Sequence, residues 1–455
     1  MKLQFENLGK IKKADLELGK LTVICGSNNQ GKTYIAYALY GFLKKWMDLI
    51  DFEINKELIS TLLKEGSISI DLLQYHSNLE SILVKLSSNY SENIHEEFNA
   101  NKDEFNNALF KIINYNEKVS YDNEFKTNLS SDKKEILSAF KEVDSSIVTF
   151  TYYLSEKTNK IPEFIVESFL NQVLASILFD KLLKRPFIIT AERTGIHLFQ
   201  KELDINKNVL FETIQKLEKD KDKHINPFQI IDDATSRYFR AIKDNIDFAR
   251  DKDNYHKKDS FLSDNKNIVK YIENNLLNVE YKFVDGSQII KIKKDKIEKK
   301  EKNIPFYMAS SSVRALSDLN SYIKNIAKNN DLLIIDEPEL NLHPENQIKL
   351  ARLFAKLINS GVNILITTHS DYLIKELNNL IMLYSGFENK EEFQKKYKYD
   401  SDEFINPKDI KAYLAESGTL TNIEIDKFGM MKSSFDDSII KINKISNDLI
   451  DLLEN

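Results

Sequence analysis

The chain has 455 residues, of which 42% are hydrophobic and 29% are charged, and its formal net charge is -6. This length is too great for one compact core, so two or three structural units are expected in a globular protein of ordinary composition. The acidic balance gives no overall attraction to nucleic acid, although a local basic face stays open.

The cysteine content and the distribution of apolar residues exclude several protein classes. Cys25 is the one cysteine in the sequence, which excludes an internal disulfide framework and a cysteine-rich zinc site. No apolar run approaches the length needed to span a membrane, and "MKLQFENLGKIKKADLE" lacks the apolar core of a signal peptide. We therefore expect a cytoplasmic protein with no membrane partner.

The first elements lead into a phosphate-binding loop. "LQFENLG" and "ADLEL" predict antiparallel strands, and "KLTVIC" predicts a buried strand before "GSNNQGKT". The pattern GxxxxGK[ST] is matched by Gly26, Gly31, Lys32 and Thr33, and "TYIAYALYGFL" continues at helical spacing. Backbone N–H groups at such a helix start bind phosphate oxygens, and glycines permit the close approach.

This loop predicts a nucleoside triphosphate with Mg²⁺ as its ligand. Lys32 is expected to reach the β- and γ-phosphates, and Thr33 to place its hydroxyl on the metal. The nucleotide-binding residues expected from the loop are Asn28, Asn29, Gln30, Gly31, Lys32, Thr33 and Tyr34.

Helical spacing dominates the next part of the chain. "KELISTLLKEG", "SNLESILVKLSSNY" and "IPEFIVESFLNQVLASILFDKLL" predict helices in a lobe at residues 46–184, with "SSIVTFTYYL" as a candidate strand. "RPFIITAER" predicts a strand at residues 185–194 that returns to the first sheet. A second helical insertion is expected at residues 195–278, including "NVLFETIQKLEKD" and "ATSRYFRAIKDNIDFARDKDNY".

A hairpin and further strands follow. In "VEYKFVDGSQIIKIKKDKIEKKEK", Asp285 and Gly286 lie between two alternating runs. Its lysine-rich second arm suits either a phosphate backbone or a solvated sheet edge, and the interleaved acids favour the edge. "NPKDIKAYLAESGTLTNIEIDKFGM" predicts strands and turns, and "DDSIIKINKISNDLIDLLEN" predicts a terminal amphipathic helix. Residues 1–45 and 279–455 together would form one head.

Two strand ends in the C-terminal part carry the chemistry that a triphosphate requires. "DLLIIDEPELNLHPENQ" places Asp336 and Glu337 after an uninterrupted apolar run, which is typical of a central parallel strand. Asp336 is expected to hold Mg²⁺, directly or through water, and Glu337 to orient or deprotonate the attacking water. "GVNILITTHS" ends near His369, which can donate a hydrogen bond to a γ-phosphate oxygen.

Together, "GSNNQGKT", "LLIIDEPELNLHPENQ" and "ITTHS" resemble the Walker A, Walker B and switch-histidine motifs of ABC-type ATPases. The form "DEPELNLHP" resembles the branch shared by SMC and RecF-like proteins and the OLD-like ATPases of bacterial antiphage systems. This resemblance implies an α/β fold: an ABC-type P-loop ATPase head, with a mixed central sheet, an antiparallel β subdomain and α-helical insertion lobes. It also implies ATP and Mg²⁺ as cofactors.

The resemblance implies a dimer in which a serine-containing signature segment of one head caps the γ-phosphate of the other. The family's usual signature is absent as such. Ser310, Ser311 and Ser312 open a helix in "IPFYMASSSVRALSDLNSYI", where they suit either a phosphate contact or a plain helix cap. Arg193 in "TAERTG", beside Glu192, is expected to sense nucleotide or to tie the lobes together.

Three functions are compatible with these residues. The first is an ATP-hydrolysing switch, as a homodimer or a higher even-numbered homo-oligomer, that controls a separately encoded nuclease or toxin in antiphage defence, as in Septu or PARIS. It would have no nuclease site of its own, because residues after His369 lack the spaced DxD and Glu pattern. The alternatives are a RecF-like or SMC-like repair ATPase that clamps DNA, and a structural ATP-binding scaffold without turnover.

Overall fold

A computed structural model describes residues 1–113, 121–131, 134–153, 161–199, 238–284, 286–293, 301–430 and 444 of the chain. Three predicted features lie wholly or largely outside these residues: the helix over "NVLFETIQKLEKD", most of the lysine-rich hairpin arm, and the terminal amphipathic helix. Within the described residues, no helix combines the length and the apolar character needed to cross a bilayer.

The strands and helices alternate along the described chain. The strands of the first half are β1 (Lys2–Leu8), β2 (Ile11–Glu17), β3 (Leu21–Cys25), β4 (Ser67–Asp71), β5 (Leu109–Ile113), β6 (Phe125–Ser131), β7 (Lys134–Lys141), β8 (Ile147–Tyr152) and β9 (Pro186–Ile189). Those of the second half are β10 (Val279–Val284), β11 (Ser287–Ile292), β12 (Lys302–Pro305), β13 (Leu332–Asp336), β14 (Asn363–Thr368), β15 (Ile410–Glu416), β16 (Thr419–Ile423), β17 (Ile425–Asp426) and β18 (Gly429–Met430). The helices are α1 (Lys32–Leu49), α2 (Lys56–Glu65), α3 (Leu79–Glu92), α4 (Glu163–Phe179), α5 (Arg240–Tyr255), α6 (Lys266–Val269), α7 (Ser311–Ala315), α8 (Ser317–Ser321), α9 (Pro344–Asn359), α10 (Asp371–Tyr384) and α11 (Lys390–Tyr397). Residues 193–199 are also helical.

The central sheet has six strands in the order β16, β15, β3, β14, β13 and β9. Five of them are parallel, and β16 is antiparallel to β15. Every residue of β3, β13 and β14 is buried. Such continuous apolar strands require cover on both faces. Alternate residues accordingly join two cores: Ile24 and Ile334 lie in the core that includes α1, and Val23 and Ile335 lie in the core that includes α9 and α10.

The predicted α/β class, mixed central sheet and antiparallel β subdomain are confirmed. β1 pairs with β2, and β10 pairs with β11 in the predicted hairpin. The returning strand β9 pairs with β13, and β15 and β16 complete the central sheet. The helices predicted over the three pieces quoted from the first insertion are α2, α3 and α4.

The first insertion contains strands as well as helices, so an entirely helical lobe at residues 46–184 is wrong. β4, β8, β7 and β6 form a four-stranded antiparallel sheet, and β5 joins the N-terminal sheet beside β1. The candidate strand in "SSIVTFTYYL" is confirmed as β8. The other strands are short alternating runs such as "SISID" and "LFKII", whose pairing partners are distant in sequence, so local helical spacing did not indicate them.

Candidate functional site

The glycine loop lies between β3 and α1, at the carboxyl edge of the central sheet. Gly26 and Gly31 have φ angles of 140° and 87°, which side-chain-bearing residues adopt at a cost in strain. A Cβ atom on Gly26 would also lie 2.5 Å from the Ala415 carbonyl oxygen of β15. The loop borders a cavity of about 190 Å³ that is lined by Lys10, Asn28, Asn29, Gln30, Gly31, Lys32, Thr33, Tyr34 and Glu337. The predicted loop residues therefore surround one concave site.

Lys32 is folded into this loop. Its Nζ atom donates hydrogen bonds to the Gly26 and Ser27 carbonyl oxygens, both at 2.9 Å, and the residue is 5% exposed. Burial lowers the pKa of Lys32, while the carboxylates of Glu337 and Asp336 act in the opposite direction. A buried cation held by two neutral carbonyls favours an anion nearby, which agrees with a phosphate ligand.

Thr33 and Asp336 lie together despite their separation in sequence. The Thr33 hydroxyl is 3.2 Å and 3.1 Å from the two carboxylate oxygens of Asp336, which is 2% exposed and also accepts a hydrogen bond from the Thr367 hydroxyl. Burial raises the pKa of Asp336 to about 6, and the neighbouring Glu337 adds to this effect.

This pair suits Mg²⁺. A hydroxyl and a carboxylate are hard oxygen ligands of the kind that Mg²⁺ takes alongside water and phosphate oxygens. A bound cation would also offset the cost of burying an ionised Asp336. The residues present therefore fit the predicted metal, with Thr33 and Asp336 as its protein ligands.

Glu337 and His369 meet at the ends of neighbouring strands. β13 and β14 are paired in register, and His369 Nδ1 lies 3.7 Å from Glu337 Oε1. The Glu337 side chain lines the cavity of the glycine loop. The two predicted catalytic side chains are therefore adjacent, on the side of Asp336 that faces the loop.

Glu339 is a site residue that the sequence analysis missed. It is 5% exposed, and its Oε1 atom accepts hydrogen bonds from the Thr368 hydroxyl and the His369 backbone N–H, both at 2.8 Å. The same oxygen is 3.4 Å from His369 Nδ1. Glu339 thus fixes the chain at His369, and the signal for it was the second glutamate of "DEPEL".

Lys10 is a second missed residue. It lies in the turn between β1 and β2, and it lines the cavity opposite Glu337. Its position depends on how the N-terminal sheet packs on the glycine loop, where the Lys10 side chain lies 3.5 Å from a Cβ built on Gly31. No local motif indicates such a contact.

Three predicted nucleotide contacts lie on exposed or packed positions. Asn28 and Asn29 are exposed, and Gln30 is half-buried. Tyr34 packs its ring over Gly9 and lies 4.9 Å, between ring centroids, from Phe98. Tyr34 therefore joins an aromatic cluster beside the loop.

The serine segment is not brought to the glycine loop of its own chain. Ser310 caps α7 by accepting a hydrogen bond from the Val313 N–H, and its hydroxyl is 3.0 Å from that of Ser312. Ser310 and Ser311 are exposed. The predicted helix cap is confirmed, and the exposed hydroxyls remain open to a second molecule.

Arg193 does not face the cavity. The residue is 2% exposed, and its guanidinium donates to carbonyl oxygens of Thr190, Ala315, Asp336 and Glu337. The expectation of a direct nucleotide contact is therefore not supported, because these carbonyls occupy four of its five donors. The alternative expectation, a tie between elements, agrees with this geometry. Glu192 instead accepts a hydrogen bond from the Tyr37 hydroxyl at 3.2 Å.

Comparisons with solved structures found SMC and RecF proteins at low identity. An SMC head bound to the C-terminal winged-helix domain of ScpA is 12% identical, with 93% of this chain and 96% of that chain covered and a TM-score of 0.35. A head domain derived from Pyrococcus furiosus is 13% identical, with 98% of each chain covered and a TM-score of 0.32. The recombination mediator RecF is 12% identical, with 93% and 97% covered and a TM-score of 0.31. At these TM-scores the likeness does not decide the assignment.

The family comparison is decisive. None of the curated proteins compared with this chain matches it. A family model of the AAA ATPase domain matches residues 1–374, which include the glycine loop, the Asp336 strand and the His369 strand end. Because the match spans most of the chain, the protein belongs to the AAA ATPase domain family and carries an ATP-binding ATPase domain.

Proposed function

We propose that this protein is an ABC-type, ATP-hydrolysing switch whose heads dimerise on ATP and control a separately encoded effector, a nuclease or toxin, in bacterial antiphage defence. The observation that carries the proposal is the meeting of Thr33, Asp336 and Glu337 at one cavity. The antiphage role comes from the resemblance of "DEPELNLHP" to OLD-like ATPases.

In this proposal the chain's own residues divide the work of hydrolysis. Lys32 and the loop N–H groups bind the β- and γ-phosphates, and Thr33 and Asp336 hold Mg²⁺, which neutralises phosphate charge when bound. Glu337 orients the attacking water and accepts its proton. His369, held by Glu339, donates to a γ-phosphate oxygen and responds when that phosphate leaves.

Dimerisation is proposed to complete the site. Ser310, Ser311 and Ser312 are assigned to the γ-phosphate of the partner head, which agrees with the exposure of the first two. Residues 1–45 and 279–455 are assigned to the head, and the insertions to the transmission of its motion to the effector.

The test compares wild-type protein with Glu337→Gln, Lys32→Ala and the control Glu345→Gln. Glu345 is an exposed acid at the start of α9 that pairs with Lys349. We expect Glu337→Gln to retain ATP, to lose roughly a hundredfold or more in turnover, and to accumulate an ATP-dependent dimer in light scattering. Lys32→Ala should lose ATP binding, and Glu345→Gln should behave as wild type.

Each alternative function has its own outcome in this test. Wild-type protein that binds ATP without turnover would contradict the switch and leave a scaffold. Turnover stimulated by duplex DNA, with a steep loss on adding salt, would instead favour a DNA clamp.

A further inference from the structure

Arg193 occupies an unusual position next to the catalytic strand. It follows β9 and begins the helical residues 193–199, beside the end of β13. It is among the largest fully buried side chains of the described residues. Burial lowers the pKa of Arg193, and nearby carboxylates, with Asp318 first, act in the opposite direction. A buried guanidinium is costly unless its donors are satisfied, so its contacts indicate what it stabilises.

Its donors hold three separate segments. Nη1 donates to the Asp336 carbonyl at 3.0 Å and to the Thr190 carbonyl at 3.0 Å, and Nη2 donates to the Glu337 carbonyl at 2.8 Å. Nε donates to the Ala315 carbonyl at 3.1 Å, at the end of the helix that Ser310 caps. One planar group thus joins the acidic end of β13 to the serine segment.

Glu337 needs such support because its backbone is strained. Its φ angle is 50°, in the left-handed region that residues other than glycine rarely adopt. Its N–H donates to the Thr367 carbonyl at 3.1 Å, and its carbonyl accepts from Arg193 and also from the Leu340 N–H at 3.2 Å. The backbone is fixed on both sides of the side chain that lines the cavity.

We propose that Arg193 is a positioning residue for ATP hydrolysis: it holds the strained backbone of Glu337 in the orientation that aims its carboxylate at the cavity, and it links that orientation to the serine segment. The inference rests on the proposed function of Glu337. Arg193 touches neither nucleotide nor water in this role, and it acts through the main chain.

A second contact ties the same helical residues to the serine segment. His197 Nε2 is 2.9 Å from Asp318 Oδ1 on α8, and both residues are buried. Lys252 of α5 is 2.8 Å from the same carboxylate oxygen. Residues 193–199 therefore contact the segment 311–321 at two points, so a displacement of the serines by a partner head would reach Arg193.

The experiment measures kcat and KM for ATP in Arg193→Ala and Arg193→Lys, with Arg185→Ala as the matched control. Arg185 precedes the other end of β9 and donates from Nε to Asp331 at 2.7 Å, before the start of β13. Arg185→Ala should unfold at lower temperature and keep wild-type kcat. Arg193→Ala should lose roughly tenfold to a hundredfold in kcat with KM changed by less than about threefold.

Two further readouts separate positioning from a general loss of structure. Guanidinium ion, added well below denaturing concentrations, should restore part of kcat in Arg193→Ala and none in Arg185→Ala. Arg193→Lys keeps the buried charge without the planar fork, so it should fold and show the same selective loss in kcat. Wild-type kcat in Arg193→Lys would overturn the inference, and so would an equal fall of kcat in Arg185→Ala. Absence of turnover in wild-type protein would instead overturn the proposed function.

Discussion

The Thr33 hydroxyl and the Asp336 carboxylate meet at 3.1 Å across 303 residues of sequence. Thr33 begins α1 after the glycine loop, and Asp336 ends the buried strand β13. This contact defines the edge of the sheet at which the other candidate residues collect. The predictions below test what the surrounding side chains contribute.

Asp336→Asn should stabilise the protein in the absence of ligand. Burial raises the pKa of Asp336 to about 6, so the ionised group costs the folded state on the order of 1–3 kcal/mol at neutral pH. The amide removes that cost, and the apparent melting temperature should rise. The further rise that Mg²⁺ and ATP give wild-type protein should be lost, as measured by differential scanning calorimetry.

Asp331→Asn supplies a contrast of opposite sign. Asp331 is also 2% exposed, but it lies before the other end of β13 and pairs with Arg185. Its replacement should destabilise the protein by about 1–3 kcal/mol, because the hydrogen bonds from the guanidinium are weakened. A lower melting temperature in both variants would contradict the account of Asp336.

Glu339→Leu should reduce turnover more than it affects ATP binding. The change leaves the Thr368 hydroxyl and the His369 N–H without their acceptor, which costs about 1–3 kcal/mol of stability and releases His369. We expect kcat to fall with KM little changed. Glu339→Gln keeps an acceptor oxygen, and it should retain most of the turnover and stability; an equal loss in both variants would argue against this role.

Lys10→Ala should weaken ATP binding without affecting the chemical step. Lys10 lines the cavity from the side of the N-terminal sheet, where a cation attracts the triphosphate. KM for ATP is expected to rise roughly threefold to tenfold, or about 0.7–1.4 kcal/mol. The control is Lys13→Ala, since Lys13 pairs with Glu6 on the exposed face of the same hairpin. If both variants raised KM equally, the effect would come from general surface charge.

Acidification should destabilise the protein through His197. Burial lowers the pKa of His197 from its ordinary 6.5, so the unfolded chain binds more protons and stability falls as pH drops below that value. Burial alone would raise the pKa of Asp318, but His197 and Lys252 hold it below its ordinary 3.8, which adds a further loss at lower pH.

The measurement is the melting temperature between about pH 7 and pH 5, a range in which histidine is the ordinary titrating group. In His197→Gln the decline over this range should be smaller than in wild type. His256→Gln, at a half-buried histidine beside Asp253, should keep the wild-type decline. An unchanged decline in His197→Gln would refute the assignment.

The parts of the fold that sequence predicts are those with a local pattern. The glycine loop, the buried strands β3, β13 and β14, and the acidic and histidine strand ends each combine a short motif with continuous apolar residues. Parallel strands place their carboxyl ends at one edge, so the meeting of Asp336, Glu337 and His369 followed from the strand assignments alone.

The parts that sequence did not predict depend on distant contacts. β5 pairs with β1 across the intervening head helix, and no local spacing indicates that it belongs to the N-terminal sheet. Lys10 reaches the cavity only because that sheet packs on the loop. The burial of Arg193 arises from backbone carbonyls of other segments, and carbonyl groups leave no trace in the pattern of side chains.

The placement of β15 beside β3 has a consequence for how this protein is made. Cys25 Sγ donates a hydrogen bond to the Tyr413 carbonyl, 388 residues further along the chain. At about 5–20 residues per second, roughly 20–80 s of translation separate the two strands. During that interval the ribosome-bound chain exposes one edge of an apolar strand, so chaperones are expected to hold it until synthesis reaches β15. Capacity for nucleotide should therefore appear late on the ribosome, with the arrival of a strand that contributes no motif to the site.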